Sequence, residues 1–159
     1  MMEIYTDGGC SGNPGPGGWA YVILVTTFQG PKIVAEKCGA ERDTTNNRME
    51  LMGAISAMEA LKTLPSGAPR GRITVYTDSQ YVQKGITEWI QGWKAHGWRN
   101  SDKEPVRNQD LWRRLDSLVE DKVIKWVWVQ GHAGETYNER CDALTQKAIA
   151  SLVKRKKKG

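Results

Sequence analysis

The feature that most constrains this chain is the order of its hydrophobic periods. Three strand-like segments come first, and helices and strands alternate only after them. Met2, Ile4 and Thr6 alternate with Glu3, Tyr5 and Asp7, so Met2 to Thr6 reads as a strand. The run Gly8 to Gly18 is rich in Gly and Pro and reads as a turn. Trp19 to Thr27 and Lys32 to Cys38 are rich in Val, Ile and aromatics and flank Gln29-Gly30-Pro31, as the next two strands of an antiparallel meander would be. Thr44 or Thr45 can then cap a helix whose Leu51, Ile55, Met58 and Leu61 recur at helical spacing until Pro65.

Ile73 to Thr77 reads as a short buried strand ending at Asp78, with Ser79 placed to cap a helix. Further helices are expected near Thr87 to Ala95 and over Gln109 to Val119, separated by a polar loop from His96 to Asn108. Val123 to Val129 is a last strand, and about Glu135 to Val153 a last helix. The order βββ-α-β-α-α-α-β-α predicts an α/β fold with a five-stranded mixed sheet, antiparallel at one side and parallel at the other, flanked by helices. Sites in such sheets lie at the carboxyl ends of strands, where Asp7 and Asp78 fall.

Two helical acids join them. Glu50 shares a stripe with Ala54, Ala57 and Leu61, and Asp142 shares one with Thr145 and Ile149, so both carboxylates sit at the rim of an apolar face. Any one of the four can be read as a turn, cap or solvated residue. Together they form a cluster of like charges near a core, which repels itself and loses solvation unless a cation neutralises it. An all-carboxylate set suits a hard ion such as Mg²⁺ or Mn²⁺, and paired ions suit in-line attack on a phosphodiester.

Composition narrows the class. A chain of 159 residues with 39% hydrophobic content and seven Trp supplies one core, so residues 1–153 are expected to form a single domain. Lys154, Arg155, Lys156, Lys157 and Lys158 carry the whole of the formal +5 charge, leaving the rest of the chain neutral. Residues 154–159 therefore read as a basic tail, either a disordered solvated end or a second contact with an anionic duplex. Cys10, Cys38 and Cys141 are odd in number and far apart, as in reduced cytosolic proteins. No stretch approaches the roughly 20 apolar residues of a membrane span. A cytoplasmic protein without membrane contact, and a monomer, is expected.

The stretches Tyr5-Thr6-Asp7-Gly8-Gly9, Gly12-Asn13-Pro14-Gly15-Pro16-Gly17-Gly18 and Thr44-Thr45-Asn46-Asn47-Arg48-Met49-Glu50-Leu51 resemble bacterial type 1 ribonuclease H. So do Thr77-Asp78-Ser79-Gln80-Tyr81-Val82 and Gly131-His132-Ala133-Gly134 followed by Asn138-Glu139-Arg140-Cys141-Asp142. The motifs keep the family's order over about residues 2–150. The resemblance implies the ribonuclease H-like fold and an endonuclease that hydrolyses the RNA strand of an RNA/DNA hybrid, with two Mg²⁺ ions held by Asp7, Glu50, Asp78 and Asp142. The products would carry 5′-phosphate and 3′-hydroxyl ends.

It also implies that His132 assists water activation or product release, although by composition alone His132 is a surface loop residue. Cys10, Asn13, Asn46, Asn47 and Gln80 match positions that contact the hybrid, some reading 2′-hydroxyls. Arg48 either orients the acids or makes a structural salt bridge. Trp93, Lys94, Trp98 and Arg99 belong to a segment that is either an ordinary solvated loop or the family's basic protrusion, which grips the DNA strand. Trp89, Trp112, Trp126 and Trp128 read as core or sheet packing. A non-catalytic hybrid-binding module is the alternative. It would keep the glycine run and basic loop but lose an acid, whereas a DNA-cutting nuclease on the same fold should lack the Asn13 and Asn46-Asn47 elements.

Overall fold

The computed structural model describes residues 1–64, 71–130 and 135–158, with 153–158 as backbone only. The sheet runs β3-β2-β1-β4-β5. It is formed by β1 (Met2–Cys10), β2 (Gly15–Thr27), β3 (Gly30–Thr44), β4 (Ile73–Thr77) and β5 (Ile124–Trp128). β1–β2 and β2–β3 pair antiparallel, whereas β1–β4 and β4–β5 pair parallel. The expected five-stranded mixed sheet is therefore present.

Helices cover both faces. On one side α1 (Asn46–Leu61) packs on β1 and β2 and α4 (Gln109–Val119) packs on α1, in one core with Met2, Ile4, Tyr21, Ile23, Ile73 and Val75. On the other, α5 (Thr136–Lys158) seats Cys141 and Leu144 against Tyr5, Ala20, Val22 and Leu24. β1 is central, so its alternation is buried on both faces, and Tyr5 and Asp7 are buried along with Ile4. Leu51, Ile55, Met58 and Leu61 are fully buried as their spacing predicts, each contributing about 1.5–3 kcal/mol of burial.

Three expectations change. Most of the glycine run is sheet: Gly8, Gly9 and Cys10 pair with Trp19, Gly18 and Gly17, leaving the reversal to the residues between β1 and β2. Glycine serves there for close approach. A Cβ on Gly8 would strike the α1 backbone at Met49 and Glu50, and one on Gly18 would lie 3.0 Å from the Thr145 carbonyl of α5. Both helices can thus press onto the sheet beside Asp7.

Second, the helix expected from Thr87 is continuous with the one Ser79 caps. α2 (Gln80–Lys84) passes through a π-helical turn, Gly85–Trp89, into α3 (Ile90–Ala95). Gly85 lies against the indole of fully buried Trp112, where any side chain would collide with the ring. Third, α5 carries the basic run through Lys158 as helix rather than as an irregular end. Lys and Arg are good helix formers, and cations are favoured at a helix C-terminus.

The polar loop after α3 is a built structure. Asn100 Oδ1 accepts from the Asp102 and Glu104 amides, Val106 N donates to Trp98 O, and Arg99 bridges Pro105. Trp98 and Lys103 hold φ near +62°, a conformation costing about 1–2 kcal/mol that these bonds must sustain.

Candidate active site

Three elements deliver three carboxylates to one point. Asp7 stands on β1 beside the glycines, Glu50 lies one turn into α1, and Asp78 follows the last residue of β4. One oxygen from each lies within 4.8 Å of the others. Asp7 and Glu50 are both only 6% exposed. Local capping sets the last two: Thr45 Oγ1 accepts from Arg48 N to start α1, and Ser79 Oγ accepts from Val82 N to start α2. Thr45, rather than Thr44, is the cap. Asp142 reaches the same cleft from α5, outside that tight trio.

Electrostatics make the cluster unstable by itself. Burial, then the Asp78 charge, push Asp7 up to about 7, against the lowering effect of a hydrogen bond from Thr145; Asp142 adds to the rise. Burial, then Asp78 and Asp7, hold Glu50 well above the usual carboxylate range. Glu50 Oε2 is buried without a hydrogen-bond partner. An acceptor-only site with an unsatisfied buried oxygen fits a hard divalent cation, which supplies both the missing ligand and the opposite charge.

The cleft, about 570 Å³, is lined by the four acids and by Cys10, Asn46, Asn47 and Gln80. Four of the five expected hybrid contacts are therefore gathered around the acids. Asn13 lies in an adjoining depression with Arg107 and Asn108, which shares Asn47 and Tyr81 with the main cleft. Its Oδ1 accepts from Asn46 N at 3.1 Å, tying the β1–β2 turn to the start of α1. The Cys10 thiol donates towards Gly15 O and Thr44 O, so it also closes the turn.

Arg48 makes the structural pair: its guanidinium engages both Asp110 oxygens, at 2.8 and 3.0 Å, and bonds Asn108. His132 lies outside the described residues. Trp93 packs edge-on to Trp112, Lys94 pairs with Asp116 at 3.2 Å, Trp98 lies under the Arg113 guanidinium, and Arg99 donates to Lys103 O. Trp89, Trp93, His96, Arg99 and Lys103 nonetheless line an open groove of about 670 Å³. Trp89 and Trp128 are 39% and 41% exposed, so of the two packing roles expected neither fills the core one. Gln146, one helical turn beyond Asp142, and Tyr81 also line the main cleft and were not singled out by sequence. Spacing of four from Asp142 was the available signal for Gln146.

Clustered acids at the carboxyl edge of a mixed sheet define a metal-dependent phosphodiester-cleaving class. The RNase H family model matches residues 1–150, and the chain belongs to that family. It is 53% identical to ribonuclease H of Dechloromonas aromatica (strain RCB) over 151 residues, 95% of each chain. It is likewise 53% identical to ribonuclease H of Phenylobacterium zucineum (strain HLK1) over 152 residues, 96% of this chain and 92% of the relative. Among solved structures, LC9-RNase H1, a type 1 RNase H with the type 2 active-site motif, superposes with TM-score 0.81 at 32% identity, covering 94% of this chain and 72% of that one. LC11-RNase H1, solved with an RNA/DNA hybrid, gives TM-score 0.72 at 26% identity over 96% and 99%.

Proposed function

We propose that this protein is an endoribonuclease that hydrolyses the RNA strand of RNA/DNA hybrids, leaving 5′-phosphate and 3′-hydroxyl ends. The observation that carries the reading is the convergence of Asp7, Glu50 and Asp78 within 4.8 Å, two of them buried, with a Glu50 oxygen left unsatisfied. Asp7, Glu50, Asp78 and Asp142 would hold two Mg²⁺ ions, with Mn²⁺ able to substitute. Bound divalent metal supplies charge neutralisation at the scissile phosphate and a more acidic attacking water.

The chain's own residues do the rest. Asp7 and Glu50 are held by the sheet and α1, so the cluster is preorganised before substrate arrives. Asn46, Asn47 and Gln80 line the cleft as neutral amides able to donate to or accept from 2′-hydroxyls, the group that distinguishes RNA. Cys10 and Asn13 shape the wall of that track. The path shared with the Arg107 depression offers a cation for the adjoining backbone. Trp93, Lys94, Trp98 and Arg99 form the protrusion that grips the DNA strand by charge and stacking, and His132 assists water activation or product release. The protein works as a monomer in the cytoplasm; three free cysteines support the reducing compartment. No helix among the described residues is long and apolar enough to cross a membrane.

The test is cleavage of an end-labelled RNA/DNA hybrid, with RNA/RNA and DNA/DNA controls, in Mg²⁺ or EDTA, for wild type and Asp78→Asn. Metal-dependent cutting of only the hybrid's RNA strand, lost in the variant, is expected. Tight hybrid binding without cutting would instead make the protein a binding module.

A further inference from the structure

Asp78 lies just past the end of its strand, where main-chain pairing stops. The ladder between β4 and β5 ends with Val129 N donating to Thr77 O at 2.9 Å. The next carbonyl, that of Asp78, is taken by the indole N–H of Trp128 at 3.0 Å. On the following residue, Ser79 N donates to Thr77 Oγ1 at 3.1 Å, and Ser79 Oγ then caps α2. The Asp78–Ser79 peptide is thus bonded at both its carbonyl and its amide, by one side chain from β5 and one from β4.

Trp128 is an unusual residue to find there for packing alone. It is 41% exposed, so much of the ring's apolar surface stays in water. Its donor, by contrast, is fully used. The bond also acts where the cluster strains itself: three carboxylates within 4.8 Å repel one another, and Asp78 is the one carried just past the end of its strand. Restraining a metal ligand through a partner that touches no metal is how outer groups tune affinity.

We infer that Trp128 is a positioning residue: its indole N–H, bonded to the Asp78 main-chain carbonyl, holds that carboxylate in the cluster against the repulsion of Asp7 and Glu50. The inference rests on the metal-binding reading of the acids. Trp128→3-benzothienylalanine replaces the N–H with sulfur and keeps the ring's shape, and Trp128→Phe removes the donor by ordinary mutagenesis.

Three readouts separate positioning from packing. In the metal-free wild type, the Trp128 indole proton should exchange with solvent more slowly than an exposed indole. Mg²⁺ affinity by calorimetry should fall about tenfold in both variants, the lower end of the range for outer-shell partners, while the thermal midpoint of the benzothienyl protein stays close to wild type. At subsaturating Mg²⁺, kcat should fall with KM for the hybrid held. Unprotected exchange, or wild-type Mg²⁺ affinity in the benzothienyl protein, would overturn the inference alone, as would a rise confined to KM, which would make Trp128 a substrate contact. Failure of wild type to bind Mg²⁺ would overturn the metal reading and the inference with it.

Discussion

The acid cluster and the basic loop after α3 handle charge in opposite ways. The cluster buries like charges, anchors them on three different elements and leaves a Glu50 oxygen unsatisfied. The loop and the end of α3 keep their cations exposed, and two of them have modest local partners: Lys94 with Asp116, Arg99 with the Lys103 carbonyl. One region stores electrostatic strain that a small, highly charged ligand can release. The other offers diffuse, salt-screened attraction to an extended anion. On the proposed reading, chemistry belongs to the first and affinity to the second.

Exchanging an acid should separate activity from stability most sharply. Asp7→Asn and Glu50→Gln are each expected to lower kcat by about a thousandfold or more, while raising the melting temperature in EDTA at alkaline pH, where the wild-type acids lose their protons and repel one another. An equal loss of activity and stability would mean that the carboxylates are structural.

The next effect is on pH dependence. Asp7 is raised to about 7, so the folded protein retains a proton that the unfolded chain releases near pH 4. Between those values the native state binds more protons, and stability in EDTA should fall as pH rises from about 4 to about 7. Saturating Mg²⁺ should raise the melting temperature more at about pH 8 than at about pH 5. A metal-free protein that gains stability across that window would contradict the burial assigned to the cluster.

Smaller effects are expected at the loop. Arg99→Ala should weaken hybrid binding a few-fold and reduce the slope of log affinity against log salt by about 1, with kcat unchanged. A drop in kcat would place the loop in the chemistry and dissolve the contrast. Least of all, Arg48→Ala should cost about 1 kcal/mol by denaturant unfolding, since its Asp110 partner is 65% exposed.

Both regions were legible in the sequence to different depths. The succession of strands along the chain followed from local hydrophobic periods that burial enforces, and strand ends and helix rims offered the four acids as candidates, but only the resemblance to ribonuclease H motifs set them apart from turn, cap and solvated residues. The glycine run misled because glycine marks both turns and close approaches, and only the positions of Met49 and the Thr145 carbonyl distinguish them. The π-turn was hidden for a similar reason: it depends on Trp112 lying against Gly85, 27 positions earlier in the chain. Arg48 left two readings until the Asp110 side chain, also distant in sequence, supplied its partner. Trp128 looked like packing because a sequence shows an aromatic ring and not the carbonyl its N–H meets.

Whether the four acids are a metal centre can be read from anomalous scattering by crystals grown with Mn²⁺. Mn²⁺ peaks are expected bounded by Asp7, Glu50 and Asp78, with Asp142 close by, and lost in Asp78→Asn. Crystals with Mn²⁺ in the solvent but no peak at the cluster, and its carboxyls hydrogen-bonded to one another, would contradict it.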